Sequence, residues 1–136
     1  MSETLAVRHL ALRVRDIAQS RRFYEEGLGF HFVGYRPNGQ SMDLSEGQVN
    51  LTLLPYEGEP RQSLEEGTEF IHLGFWVADL EAVYHRFVAL GATVAREDVK
   101  ERRDFAGDAP PVGSFKVLDP DGNVLDISGR ANEWRT

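Results

Sequence analysis

Near the start of the chain the large apolar residues recur at every second position. From Leu5 to Val14 the residues Leu10, Leu12 and Val14 fall on one side, and Val7, His9, Ala11 and Arg13 on the other. A period of two predicts a strand with one buried face. The period then lengthens. Asp16 stands where a helix N-cap belongs, with Gln19 three residues on, and Ile17, Ser20, Phe23, Tyr24 and Leu28 form a helical stripe. This predicts a helix from Ile17 to Gly27, stopped by Gly27 and Gly29. Phe30 to Arg36, Gln40 to Ser45 and Gln48 to Leu54 return to strand patterning, separated by Pro37-Asn38-Gly39 and Glu46-Gly47.

The same order then recurs. His9-Leu10-Ala11-Leu12-Arg13-Val14-Arg15-Asp16 is echoed by His72-Leu73-Gly74-Phe75-Trp76-Val77-Ala78-Asp79, with His, Leu, Val and Asp at matching places. Phe70 to Val77 reads as a strand, Asp79 as an N-cap, and Leu80 to Leu90 as a helix facing inward through Leu80, Val83, Phe87 and Leu90. Ala92 to Ala95, Val112 to Leu118 and Asn123 to Ser128 read as strands, the last two joined by the turn Asp119-Pro120-Asp121-Gly122. Arg96 to Pro111 is too long for an ordinary hairpin connection and reads as a lid or an insertion. A long internal period marks a repeat architecture. The expectation is an α+β fold: two tandem βαβββ modules forming curved mixed sheets around a shared cavity, with the helices outside. As one domain over residues 1–136, it comprises a first module at about 5–55, a linker at about 56–68 and a second module at about 69–129.

Composition narrows the function. The 136 residues suit one domain with a core, or two half-domains sharing one, and 41% hydrophobic with 27% charged residues is ordinary for a globular chain. A net charge of −7, with no basic run interleaved with aromatics, argues against nucleic acid. No apolar run approaches the roughly 20 residues of a membrane helix, and the first residues lack a signal-peptide layout. Without cysteine any metal must be held by nitrogen and oxygen donors. A cytoplasmic protein is expected.

Strand phase aims both histidines at the face away from the helices. His9 shares its face with Ala11 and Arg13, and His72 shares its face with Gly74 and Trp76. Small neighbours leave room for a ligand where a packed face would carry a branched aliphatic. In the last strand of each module, Val49-Asn50-Leu51-Thr52-Leu53 parallels Leu125-Asp126-Ile127-Ser128, which matches Asn50 with Asp126. Two neutral imidazoles and one carboxylate make a facial set for a divalent metal such as Fe, Mn, Ni or Zn. The alternative is a pair of hydrogen-bonded core histidines. Trp76, with Phe70 nearby, suits a planar or partly apolar ligand or ordinary core. Arg13 binds an anionic substrate group or emerges into water at the strand end.

These residues, together with Ser20-Arg21-Arg22-Phe23-Tyr24, Leu28-Gly29-Phe30 and Phe115-Lys116-Val117-Leu118-Asp119-Pro120-Asp121-Gly122-Asn123, resemble the vicinal oxygen chelate superfamily. That group includes glyoxalase I, bleomycin- and fosfomycin-resistance proteins and extradiol dioxygenases. The resemblance covers nearly the whole chain. It implies metal ligands on the first and last strands of each module, which carried across are His9 and Asn50, then His72 and Asp126. Two departures matter. Glyoxalase I has Glu or Gln where this chain has Asn50, and the final ligand is usually Glu rather than Asp126. Losing one methylene shortens the reach by about 1.5 Å, large beside the ~0.2 Å tolerance of ligand distances. The set then reduces to His9, His72 and Asp126, with Asn50, Trp76 and Arg13 left to the substrate.

Without a carboxylate at Asn50 the base of glyoxalase I is missing. Extradiol cleavage uses further His and Tyr groups, for which His31, His85, Tyr24, Tyr35 and Tyr84 are the spare residues. The resemblance implies a metal-dependent enzyme, dioxygenase or lyase/isomerase, acting on a small oxygen-bearing substrate as a homodimer. The alternative is a metal-free protein that sequesters a small molecule, like the bleomycin-resistance group.

Overall fold

The computed structural model describes residues 5–60, 72–95 and 110–134. The chain divides into two units, Met1–Glu59 and Pro60–Thr136. Each holds one four-stranded mixed sheet and one helical segment.

In the N-terminal unit, β1 (His9–Val14) leads to α1 (Ile17–Arg22), which widens into a π-helical turn over Phe23–Leu28. The strands β2 (His31–Tyr35), β3 (Met42–Ser45) and β4 (Asn50–Pro55) follow. The first strand begins at His9 rather than Leu5, because its parallel partner β4 pairs with it only from Asn50 onward. Leu5 and Val7 accordingly lie open to solvent. Asp16 caps α1 by accepting the Gln19 amide at 3.1 Å, filling one of the donors that a helix start leaves over. The helix stops at Gly29, whose φ of 88° suits a residue without Cβ. The π turn keeps Phe23, Tyr24 and Gly27 buried, so Gly27 sits inside the helical segment rather than ending it.

The sheet order is β1-β4-β3-β2, with β1 parallel to β4 and the remaining pairs antiparallel. Val14, Met42, Leu44, Leu51 and Leu53 are buried with Phe23, Tyr24 and Phe30, whose rings meet edge to face. Fully burying such side chains contributes roughly 1.5–3 kcal/mol each. The other face of this sheet carries His9, Ala11 and Arg13 on β1, Asn50 and Thr52 on β4, and Asp43 on β3.

The C-terminal unit repeats the plan with β5 (Leu73–Trp76), α2 (Leu80–Ala89), β6 (Thr93–Ala95), β7 (Ser114–Leu118) and β8 (Val124–Ser128), in sheet order β5-β8-β7-β6. Asp79 caps α2 by accepting the Ala82 amide at 3.0 Å. Val83, Tyr84 and Phe87 are buried, with Tyr84 and Phe87 edge-on to Phe115. Tyr84 is therefore core. Asp119 draws the β7–β8 turn tight, accepting from the Asp121 and Asn123 amides and from Asn123 Nδ2 at 2.8–2.9 Å. No helix among the described residues is long and apolar enough to cross a membrane. The proposed linker falls largely outside the described residues, as do Phe70 and residues 96–109 of the expected lid.

Candidate functional site

In the N-terminal unit the exposed positions of β1 are His9, Ala11 and Arg13, as strand phase requires. Parallel register sets His9 beside Asn50 and Ala11 beside Thr52, and antiparallel register sets Thr52 beside Asp43. A connected chain of polar groups results. His9 Nδ1 lies 2.6 Å from Asn50 Oδ1. The Thr52 hydroxyl is 2.8 Å from that same oxygen and 2.7 Å from Asp43 Oδ1. Arg36 closes the chain, donating from Nε to Asp43 at 3.0 Å and from a terminal nitrogen to Thr52 at 3.1 Å. Burial pushes the Asp43 carboxyl up, but hydrogen bonds from Thr52, Asn50 and Arg36, with the Arg36 charge, outweigh it and hold Asp43 below its ordinary value.

In the C-terminal unit His72 stands immediately before β5, and Gly74 pairs in register with Asp126, which pairs in turn with Lys116 on β7. His72 Nε2 is 3.7 Å from Asp126 Oδ2, an ion pair when the imidazole is protonated and too long for a hydrogen bond. Burial raises the Asp126 carboxyl above its ordinary value. The charges of His72 and Lys116 pull it down and that of Glu133 pushes it up. The segment after β8 returns to this face. The Trp134 indole reaches Gly74, where a built Cβ would meet its Cζ2 at 2.7 Å and Cη2 at 3.0 Å. Only glycine admits that contact. The space expected beside His72 for a ligand is thus partly filled by the chain's own tryptophan.

The register corrects the sequence match between Asn50 and Asp126. Leu10 pairs with Leu51, and its counterpart Leu73 pairs with Leu125. Thr52 is therefore the positional equivalent of Asp126, and Asn50 the equivalent of Val124. A slip of two residues leaves every side chain on its original face, so alternation alone cannot detect it. The fourth position thus carries a hydroxyl, which is hydrogen-bonded to Asp43.

Trp76 is exposed, as are Arg13, His31 and Tyr35, while Tyr24 is buried and His85 sits on the α2 surface near Glu81. Thr52, Asp43, Arg36, Lys116, Glu133 and Trp134 escaped the sequence reading. Asp43 and Lys116 were accessible to it, since Met42-Asp43-Leu44-Ser45 and Phe115-Lys116-Val117 alternate as clearly as β1 does. Trp134 follows the last element and had no periodic signal.

The donor types suit a borderline dication. Two groups bound to one ion at ~2.0–2.2 Å lie a little over 3 Å apart, and His72 Nε2 and Asp126 Oδ2 stand 3.7 Å apart. Within either unit, the described residues bring together no three His, Asp or Glu side chains.

Relatives agree with this fold. Virulence protein STM3117 of Salmonella typhimurium is 30% identical over 120 residues, covering 88% of this chain and 81% of that protein. An integron cassette protein from the mobile metagenome of V. cholerae superposes with a TM-score of 0.63 at 28% identity, over 94% of this chain and 97% of the other. The fosfomycin resistance protein FosX of Mesorhizobium loti gives 0.64 at 18% identity over 96% and 94%, a likeness of fold alone. The model of the Glyoxalase/Bleomycin resistance protein/Dioxygenase superfamily matches residues 6–127, and the chain belongs to that superfamily.

Proposed function

We propose that the chain is a metal-dependent enzyme acting on a small oxygen-bearing substrate, with His72 and Asp126 as a ligand pair and His9 in the third ligand role that the family resemblance gives it. One observation carries the reading. An imidazole nitrogen and a carboxylate oxygen stand 3.7 Å apart on the polar face of a sheet, with the carboxylate largely shielded from water. A desolvated carboxylate facing an imidazole costs free energy unless a cation repays it. A bound divalent ion would supply Lewis-acid polarisation of substrate oxygens. The chain's own residues do the rest. Lys116 offers a cation beside Asp126 for an anionic substrate group, the indole of Trp134 supplies an apolar wall, and Trp76 lies exposed two residues along β5. Asn50 and Arg13 remain substrate-facing groups in this reading, and the assembly is a homodimer.

Titration calorimetry with Mn(II), Fe(II), Ni(II) and Zn(II) tests it, alongside thermal melts with and without each ion. The expected result is a stabilising ion whose effect is lost in His72→Ala and Asp126→Asn. Absence of any metal-dependent shift in the wild-type chain removes the reading.

A second reading has its own observation. Lys116 already stands beside Asp126 and Trp134 already packs on Gly74, an arrangement that suits a metal-free small-molecule binder with an aromatic wall. That reading requires ligand binding unaffected by chelator.

A further inference from the structure

We infer that Asn50, held by Thr52, Asp43 and Arg36, is a positioning residue that locks His9 in the tautomer protonated at Nδ1, leaving the Nε2 lone pair free. Arg36 has only donors, and it gives one to Asp43 Oδ1 and one to Thr52 Oγ1. Asp43, ionised and acceptor-only, takes hydrogen bonds from Arg36, from the Thr52 hydroxyl and from the Asn50 side chain. The only group Asn50 can give to a carboxylate is its NH₂. Its amide is thereby oriented, with the oxygen turned toward His9.

That oxygen can only accept. With His9 Nδ1 2.6 Å away, the proton between them must belong to the imidazole. The Thr52 hydroxyl, 2.8 Å from the same oxygen, changes nothing, since its single proton goes either to Asp43 or to Asn50 and both are acceptors. A neutral imidazole protonated at Nδ1 is an acceptor, base or ligand at Nε2 and nowhere else. The arrangement is the kind of outer hydrogen bond that fixes the working nitrogen of a functional histidine.

Nothing in this step needs a metal. It rests on the N-terminal unit alone, and to the substrate-facing place given to Asn50 above it adds the orientation of His9. It also gives a reason for a carboxamide at this place. A carboxylate there would face Asp43 across the same hydrogen bond and lose it, and an apolar residue would release the ring.

The test is the imidazole nitrogen spectrum of the full chain with ¹⁵N-labelled histidine, at a pH about two units above the ordinary histidine value of ~6.5. His9 is assigned by loss of its signals in His9→Gln, with His31 and His85 as references. The expected wild-type pattern for His9 is a protonated Nδ1 and a bare Nε2. In Asn50→Leu the Nδ1–H signature is lost and the Nε2–H form, preferred by free histidine, becomes dominant. Asn50→Asp keeps an acceptor beside His9 and restores the wild-type pattern. If Asn50→Leu fails to fold, Asp43→Asn frees the amide to turn, and a mixed tautomer is expected. A wild-type His9 protonated at Nε2, or an unchanged pattern in whichever of these two variants folds, overturns the inference. Metal response is read separately, so failure of the proposed enzyme function leaves this outcome intact.

Discussion

Thr52 and Asp126 occupy the same place in their two sheets. Each sits on the unit's last strand beside the residue two after the histidine, Ala11 for Thr52 and Gly74 for Asp126. Each also faces a charged residue on the antiparallel neighbour, Asp43 for Thr52 and Lys116 for Asp126. The two sheets therefore carry their carboxylates on different strands. In the N-terminal unit the carboxylate is on the penultimate strand and is engaged by Arg36. In the C-terminal unit it is on the last strand, next to a histidine.

This difference predicts opposite responses to removing charge. Burial raises Asp126 above its ordinary value, so its ionised form weakens the folded state at neutral pH. Asp126→Asn is expected to leave the metal-free chain as stable as wild type or raise its Tm by about 1–3 °C, while abolishing stabilisation by added metal. Differential scanning fluorimetry with and without metal reads both effects.

Asp43 behaves in the other sense. Its folded value lies below 3.8, so the unfolded chain takes up a proton first. The stability it contributes is present above pH about 4 and is lost as the pH falls through the folded value. Asp43→Asn should cost about 1–3 kcal/mol near pH 7, and the gap from wild type should narrow below pH 4. Urea melts across that range check it, and a gap that widens on acidification contradicts the assignment.

Gly74→Ala places a methyl group where the Trp134 ring lies, and the ring, 40% exposed, is the part that yields. Acrylamide should quench Trp134 more strongly in Gly74→Ala than in wild type, measured with Trp76→Phe as background. The fold should survive, since the backbone of Gly74 pairs as an ordinary strand residue.

Each helix depends on one aspartate. Asp16→Ala and Asp79→Ala each remove a side-chain acceptor from a helix start, and each is expected to cost about 0.5–2 kcal/mol. The losses should add in the double variant, since each acts within its own unit.

Much of the fold was legible because strands and caps leave periodic or local signals. His9 to Val14 and Leu80 to Ala89 announced themselves by spacing, and Asp16 and Asp79 by their position before apolar stripes. Helix and strand ends were less legible, since Leu5 and Val7 continue the period of β1 while the pairing with β4 starts only at His9 and Asn50. The π turn at Phe23–Leu28 holds Phe23, Tyr24 and Gly27 buried, a widening that no propensity encodes. At the candidate site, phase put His9 and Asn50 on one face but could not distinguish Asn50 from Thr52 as the equivalent of Asp126. Register is a property of two strands, and a single strand's pattern repeats every two residues.

The parallel pairing of β1 with β4 has a consequence in time. His9 meets Asn50 across a sequence separation of 41 residues, so a chain made at ~5–20 residues per second leaves the first strand without its neighbour for seconds. Such a distant closure is slow to nucleate compared with the β2–β3 hairpin. The imidazole of His9 therefore takes up its final orientation only when the last strand of its unit docks, making its nitrogen spectrum a clock for the end of folding as well as a readout of the site.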